Sequence, residues 1–177
     1  MIAIALAGWL TMAPAQPVLP SSLTDVDGQM LDLAGLARDY QLVGVTILGA
    51  WCEICRTELR QLAKLQKKLE ACKARFFVMG PDSPQELRQL RRATGFQVPF
   101  VADQEFEVVG KLGLVRGWGE MEPVIFMTNR QRQITWFHSR YEGDLGYERL
   151  KQRIKCNKMI AQAVDALRRV SPKSAVR

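Results

Sequence analysis

An uninterrupted apolar run at 42–48 (L-V-G-V-T-I-L) lies just before Trp51-Cys52-Glu53-Ile54-Cys55, and this junction constrains the fold more than any other feature. The run is rich in β-branched residues, as is typical of a strand buried on both faces of a parallel sheet. Beyond it, apolar residues recur every three or four positions to about Ala74, with lysines on the opposite side. The junction therefore predicts a buried strand followed at once by an amphipathic helix, from about Cys52 to about Ala74.

Further strands and helices alternate along the rest of the chain. Arg75–Met79 predicts a second buried strand, which completes a strand–helix–strand unit. Ser83, Pro84 and Glu86 predict the capped start of a second helix that ends at Gly95. The other predicted elements are two extended pieces around the Asp27-Gly28 turn within 23–33, a strand at 99–102, a helix at 104–112, paired strands at 124–127 and 133–137, and a helix at 145–170. A βαβ half followed by a ββα half predicts an α/β fold.

The 177 residues suit one domain, which we assign to 16–170. The stretch 1–15 is apolar as far as Met12 and then carries Ala13-Pro14-Ala15, which resembles a cleavage site. It predicts a signal peptide or leader and an extracytoplasmic (periplasmic or secreted) protein. Because no Lys or Arg precedes the apolar run, a cytoplasmic protein with a truncated start or a disordered leader is the alternative.

The charge of the chain is concentrated at its C-terminal end. The stretch 147–177 holds nine basic and two acidic residues, a net +7 that equals the charge of the whole chain, and 171–177 forms a basic tail. A solvated face of the last helix accounts for this, and weak contact with an acidic partner surface or anionic lipid is the alternative. No aromatic residues interleave with the basic ones after Tyr147, so a nucleic-acid partner is not expected.

The four cysteines indicate a local site and not a disulfide framework, since a chain of this size can bury a sufficient core. Cys52 and Cys55 stand three residues apart at the predicted helix N-terminus, where backbone N–H groups and the helix dipole stabilise a thiolate. This spacing lets the two sulfurs form a disulfide. We expect Cys52 to be the exposed attacking thiol and Cys55, on the apolar face, the shielded resolving thiol.

Half of a zinc site is the main alternative for such a pair, and two packing cysteines are another. Zinc requires further ligands, but Cys72 and Cys156 are isolated and His138 is the single histidine. Neither a metal nor a cofactor is therefore expected. Cys72 continues the apolar stripe of its helix, and we expect it and Cys156 to have packing roles.

W-C-x-x-C after a hydrophobic strand resembles the thioredoxin superfamily. C-E-I-C followed by Arg56-Thr57-Glu58-Leu59 is similar to its peroxiredoxin-like (AhpC/TSA, redoxin) and extracytoplasmic thioredoxin branches, as are G-P-D-S-P-Q-E-L at 80–87 and P-F-V-A-D at 99–103. The resemblance covers about residues 20–155. It implies a thioredoxin-like fold, with a central mixed β-sheet flanked by helices.

The resemblance also implies the surroundings of the pair. In that fold a cis-proline faces the cysteines, and Pro123 matches its position, so a cis Glu122–Pro123 bond is expected; an ordinary strand-entry proline is the alternative. Trp51 is expected to shield the site and contact substrate. The residues expected to shape the site are Trp51, Glu53, Ile54, Glu122 and Pro123.

Three departures from the peroxiredoxin pattern bear on peroxide chemistry. Cys55 takes the place that the resemblance assigns to the peroxidatic cysteine. The family's threonine, proline and arginine positions then fall on Cys52, Leu48 and Pro123. The residues that activate peroxide are therefore missing, which favours dithiol–disulfide exchange.

Acidic residues beside the pair predict its redox tendency. Glu53 and Glu122 flank it, and negative charge disfavours a thiolate, so the couple is expected to be reducing. The strand at 42–48 holds no acid, unlike the corresponding strand of thioredoxins.

The sequence thus predicts a thiol–disulfide oxidoreductase that acts on protein dithiols or disulfides and requires an unknown electron donor. A peroxiredoxin-like antioxidant that reduces hydroperoxides is the second hypothesis. A non-catalytic binding module with the same fold is the third.

Overall fold

The structure is a computed structural model that describes residues 16–139 and 147–154. Its strands are β1 (Ser22–Thr24), β2 (Met30–Asp32), β3 (Gln41–Thr46), β4 (Ala74–Gly80), β5 (Phe100–Ala102), β6 (Val124–Thr128) and β7 (Ile134–Ser139). Its helices are α1 (Leu33–Asp39), α2 (Glu53–Ala71), α3 (Pro84–Thr94), α4 (Glu107–Lys111) and α5 (Tyr147–Arg153).

Five strands form one mixed sheet in the order β5-β4-β3-β6-β7. β3, β4 and β5 are parallel neighbours, whereas β6 runs antiparallel to both β3 and β7. The predicted strand–helix–strand unit is confirmed, since α2 connects the parallel strands β3 and β4. β3 lies at the centre and is almost entirely buried, as its uninterrupted apolar sequence predicts.

Both faces of the sheet are covered by helices. Side chains of α2, α3 and α5 pack on one face, where Val45, Leu59 and Leu87 belong to the same buried cluster. Side chains of α1 and α4 pack on the other face against Phe77 and Phe126. The prediction of a mixed sheet flanked by helices is therefore confirmed.

The predicted capping of α3 is also confirmed. Ser83 Oγ accepts from the N–H of Glu86 at 3.3 Å, and Glu86 Oε2 accepts from the N–H of Ser83 at 3.0 Å. Gly95 ends the helix in the left-handed region at φ 70°. The start of α3 is thus fixed directly after Asp82, in the loop that follows β4.

One helix was not predicted. The turn at Asp27-Gly28 does join two strands, β1 and β2, but α1 follows β2 immediately. Asp32 caps it, since its Oδ1 accepts from the N–H of Gly35 at 2.9 Å. α1 has only seven residues and contains a glycine, so its periodic signal is short and weak.

Several predictions fall outside the described residues. These are the leader at 1–15, the tail at 171–177, the predicted last helix beyond Ile154, and Cys156. Across 16–139 and 147–154, none of the helices combines the length and the apolar character that crossing a membrane requires.

Candidate active site

The cysteine pair lies where β3 gives way to α2, and the two residues form a disulfide with a Cα–Cα distance of 5.3 Å. Cys52 is the N-cap of α2, and its Sγ accepts from the N–H of Cys55 at 3.2 Å. The helix N-terminus therefore directs an unpaired backbone donor at this sulfur. The same arrangement would stabilise a Cys52 thiolate once the disulfide is reduced.

Burial corrects one expectation about the pair. Cys52 was predicted to be exposed, but only 5% of its surface is accessible, compared with 2% for Cys55. The reason is that the cap geometry turns the Cys52 side chain back over the first turn of α2. There it joins the same buried cluster as Cys55 and Leu59.

Two exposed apolar side chains border the pair. Trp51 and Ile54 are 72% and 70% exposed, so an apolar surface frames the otherwise buried cysteines. The indole of Trp51 lies against Gly49, where a Cβ atom would collide with the ring. Contact of Trp51 with substrate stays a prediction.

The charge of Glu53 is offset by two arginines of its own helix. Its Oε1 lies 3.1 Å from Arg60 Nη1, and its Oε2 lies 3.8 Å from Arg56 Nε. Glu53 is therefore not the uncompensated negative charge that its place in the sequence predicts. These ion pairs reduce the field that Glu53 exerts on the cysteines, although solvent screens them because Glu53 is largely exposed.

Glu122 and Pro123 lead into β6, which pairs with β3. The cis Glu122–Pro123 bond was a wrong prediction, because every peptide bond in the described part of the chain is trans. Thr46 holds the segment extended: its Oγ1 donates to the carbonyl of Glu122 and accepts from the N–H of Val124 at 2.8 Å. Pro123 is therefore an ordinary strand-entry proline.

The carboxylate of Glu122 has a hydrogen-bond partner on β7. Its Oε1 accepts from Ser139 Oγ at 3.0 Å, so the side chain is bonded to β7. Of the two acids predicted to act on the pair, Glu53 adjoins it along the chain and is paired with arginines. The effect of Glu122 on the cysteine pair stays a prediction.

Asp82 is a site residue that the sequence analysis missed. Its Oδ2 accepts from the N–H of Ala50 at 2.8 Å, two residues before Cys52. Burial raises the pKa of Asp82, and the nearby Glu86 raises it further, while the bond from Ala50 opposes both. The signal was present, because parallel neighbours β3 and β4 end at the same sheet edge and the loops that follow them must meet there.

Glu58 is a second missed acid. The strand at 42–48 holds no acid, but α2 itself supplies a buried one. Glu58 is 1% exposed and lies three residues after Cys55, on the buried face that also carries Leu59 and Leu62. Its spacing from Cys55 on the apolar stripe could have identified it.

A family model for the AhpC/TSA family matches residues 14–137, which is most of the chain. The chain belongs to the AhpC/TSA family. Peroxiredoxin-like 2C of Bos taurus is 28% identical over 112 residues, 63% of this chain and 48% of that protein. The Homo sapiens protein of the same name is 28% identical over 107 residues, 60% of this chain and 46% of that protein. The chain spans about half the length of the curated relatives it matches.

Solved structures of AhpC/TSA-like proteins share the fold. Peroxiredoxin Q of Xanthomonas campestris superposes with a TM-score of 0.68 at 16% identity, covering 78% of this chain and 95% of that one. Peroxidoxin BcpB of Mycobacterium tuberculosis gives 0.61 at 19% identity, covering 71% of this chain and 86% of that one. The chain therefore has the thioredoxin-like fold of these peroxiredoxins.

The two cysteines lie within one helical turn at the N-terminus of α2. The described residues contain no group of three or more His, Cys, Asp or Glu side chains able to hold a metal ion. The chemistry available at this site is that of the two sulfurs and the backbone and charged groups around them.

Proposed function

We propose that this chain is a thiol–disulfide oxidoreductase in which Cys52 attacks and Cys55 resolves. The observation that carries the proposal is the hydrogen bond from the N–H of Cys55 to Cys52 Sγ at the N-terminus of α2. A thiolate at Cys52 receives both this donor and the positive end of the helix dipole. Cys55 lies within disulfide reach of it.

The exchange proceeds in two steps. The reduced Cys52 thiolate attacks a disulfide of the partner, which forms a mixed disulfide with Cys52 and releases one partner thiolate. Cys55, as a thiolate, then attacks Cys52 Sγ, which forms the Cys52–Cys55 disulfide and releases the second partner thiolate. The partner gains two electrons and the cysteine pair loses two. A dithiol donor returns the pair to its reduced state.

Exposed apolar surface supports a protein as the partner in this exchange. Because Cys52 is 5% exposed, a partner disulfide has to approach closely between Trp51 and Ile54. Two large exposed apolar side chains beside a reactive group favour contact with an unfolded or extended segment of protein. The basic residues of 147–177 belong to the proposal only as a weak contact for acidic partners.

Reduction of hydroperoxides is the second candidate, favoured by membership of the AhpC/TSA family. In that reaction the Cys55 thiolate attacks the peroxide, which yields a sulfenic acid at Cys55 and an alcohol or water. The Cys52 thiol then condenses with the sulfenic acid to give the same disulfide and water. We prefer disulfide exchange because Cys52, Leu48 and Pro123 replace the residues that activate peroxide in the pattern described above.

Stopped-flow fluorescence of the reduced protein tests the two candidates in parallel, since Trp51 adjoins the pair. The protein is mixed with hydrogen peroxide and, separately, with a small protein that carries an accessible disulfide. Fast reaction with the disulfide and only ordinary thiol rates with peroxide are expected. Fast reaction with peroxide would favour the second candidate. Free-thiol rates with both reagents, unchanged in Cys52→Ser, would indicate a binding module.

We also propose an extracytoplasmic location, where an oxidising environment supplies disulfide partners. The apolar stretch at 1–12 and Ala13-Pro14-Ala15 motivate the proposal. Mass spectrometry of the exported protein is expected to find an N-terminus just after Ala15. Retention of the full chain in the cytoplasm would contradict it.

A further inference from the structure

The loop that presents Cys52 is a tight turn. The N–H of Cys52 donates to the carbonyl of Gly49 at 3.1 Å, which places Ala50 and Trp51 at the centre of the turn. The turn connects β3 to the N-cap of α2. Any group that fixes the backbone at Ala50 therefore fixes the direction in which Cys52 enters its helix.

Asp82 fixes that backbone from a distant part of the chain. Its Oδ2 accepts from the N–H of Ala50 at 2.8 Å, although the two residues are 32 positions apart. Ala50 is a central residue of the turn, so without Asp82 its N–H would lose a partner in a half-buried place. The bond thus joins the loop after β4 to the loop that carries the cysteines.

The charges near Asp82 do not compensate its carboxylate. Within 16–139 and 147–154, none of the ion pairs involves Asp82. Glu86, in the first turn of α3, is a like charge and raises the pKa of Asp82, as burial does to a larger extent. Ionisable groups held where their charge is disfavoured concentrate at functional sites. Between the turn that Asp82 holds and the end of the first turn of α2, the titratable groups are the cysteine pair, Glu53 and its ion-pair partner Arg56.

We propose that Asp82 is a positioning residue for the exchange reaction, which holds the turn that presents Cys52 and whose negative charge keeps the cysteine pair reducing. The inference rests on the proposed function and extends it to a residue outside the C-x-x-C motif. The carboxylate binds the turn two residues before Cys52, and a negative charge there disfavours the Cys52 thiolate and so destabilises the reduced state. A destabilised dithiol gives up its electrons more readily.

Two substitutions separate the two parts of this role. Asp82→Asn keeps an oxygen that can accept from Ala50 but removes the charge, whereas Asp82→Ala removes both. Asp39→Asn is the matched control, because Asp39 is an exposed aspartate that precedes β3, whereas the turn with the cysteines follows the other end of that strand. The measured equilibrium is the reduction of the Cys52–Cys55 disulfide by two molecules of reduced glutathione, which yields the protein dithiol and glutathione disulfide. Two electrons and two protons move to the protein.

Asp82→Asn is expected to lower the pKa of the Cys52 thiol and to shift this equilibrium toward the reduced protein, on the order of threefold or more. Asp82→Ala is expected to show the same shift and, in addition, at least about a tenfold loss of exchange rate, since the turn is no longer held. Asp39→Asn is expected to change neither.

If Asp82→Asn has the same glutathione equilibrium and the same Cys52 thiol pKa as Asp39→Asn, the charge of Asp82 does not act on the cysteine pair, and that part of the proposal is overturned. An unchanged exchange rate in Asp82→Ala would overturn the role of the hydrogen bond. If Asp82→Ala does not fold, the equilibrium in Asp82→Asn still decides the role of the charge. Equilibration with glutathione requires no protein substrate. A shift in Asp82→Asn combined with no turnover of protein disulfides by the wild type would therefore contradict the proposed function alone.

Discussion

The Sγ atom of Cys52 accepts a hydrogen bond from the N–H of Cys55 at 3.2 Å, so a cysteine takes the place of the usual N-cap oxygen of α2. In most helices Ser, Thr, Asp or Asn occupies this position. The Sγ atom of Cys52 therefore serves both as the capping acceptor of α2 and as the proposed reactive sulfur. Substitution of Cys52 is expected to affect both the helix and the chemistry.

This relationship predicts different stabilities for two variants of the reduced protein. Cys52→Ser keeps a capping oxygen, while Cys52→Ala leaves the backbone donor without a partner. The free energy of unfolding of Cys52→Ala is expected to be about 0.5–2 kcal/mol lower than that of Cys52→Ser. Denaturant titrations under reducing conditions measure this difference. Equal stability of the two variants would show that Cys52 contributes nothing as a cap.

Thr46 is expected to stabilise the entry of β6 through its hydroxyl. Oγ1 bridges the carbonyl of Glu122 and the N–H of Val124, which flank Pro123. Thr46→Val leaves these buried groups unpaired and is expected to lower the free energy of unfolding by about 1–3 kcal/mol. Thr46→Ser retains the hydroxyl and serves as the control. Denaturant unfolding that finds Thr46→Val as stable as Thr46→Ser would contradict this account.

Arg60 is expected to moderate the effect of Glu53 on the cysteine pair. Arg60→Gln removes the 3.1 Å ion pair and leaves the negative charge of Glu53 less compensated, which is expected to make the couple more reducing. Glu53→Gln is expected to shift the glutathione equilibrium in the opposite direction. Both shifts are expected to shrink at high salt, because the two side chains are exposed.

A double-mutant cycle separates this from a direct effect of Arg60 on the sulfur. In the Glu53→Gln background, Arg60→Gln is expected to shift the equilibrium less than it does in the wild type. Equal shifts in both backgrounds would mean that Arg60 acts on the pair without Glu53. No shift in Glu53→Gln would mean that Glu53 has no effect on the potential.

The pH dependence of stability is expected to differ in sign between Asp82 and Glu86. The folded-state pKa of Asp82 is raised above its ordinary value of 3.8. Protonated Asp82 therefore contributes stability that is fully present below pH 3.8 and is lost as pH rises through the higher folded-state pKa. Asp82→Asn is therefore expected to gain stability over the wild type as pH rises from below 3.8 to 7.

Glu86 supplies the opposite control, because the hydrogen bonds from Ser83 lower its pKa. Its contribution is present above its ordinary pKa of 4.5 and is lost as pH falls through the lower folded value. Glu86→Gln is expected to be less stable than the wild type at pH 7, with a difference that fades in acid. Thermal unfolding from pH 3 to 7 measures both variants, and identical trends would contradict this explanation.

Local patterns were sufficient to predict the centre of this fold. The run at 42–48 and the stripe that follows it indicate β3 and α2 because burial on both faces and helical periodicity are visible within one segment. The spacing of Cys52 and Cys55 likewise predicts their disulfide. These features depend on neighbours within a few residues, so the sequence displays them directly.

Features that depend on distant contacts were missed or predicted wrongly. Thr46 bonds to the backbone on both sides of Pro123 although it lies 78 residues before Val124, and the bond before Pro123 is trans. Asp82 meets Ala50 only because β3 and β4 are neighbours in the sheet. No pattern within one segment reports such pairings.

The trapped intermediate of the exchange reaction tests the central claim most directly. Cys55→Ser, reduced and mixed with a small protein disulfide, is expected to accumulate a mixed disulfide that peptide mass spectrometry locates at Cys52. Cys52→Ser under the same conditions is expected to form none. An adduct at Cys55 in Cys52→Ser, with none at Cys52 in Cys55→Ser, would make Cys55 the attacking thiol and contradict the proposed mechanism.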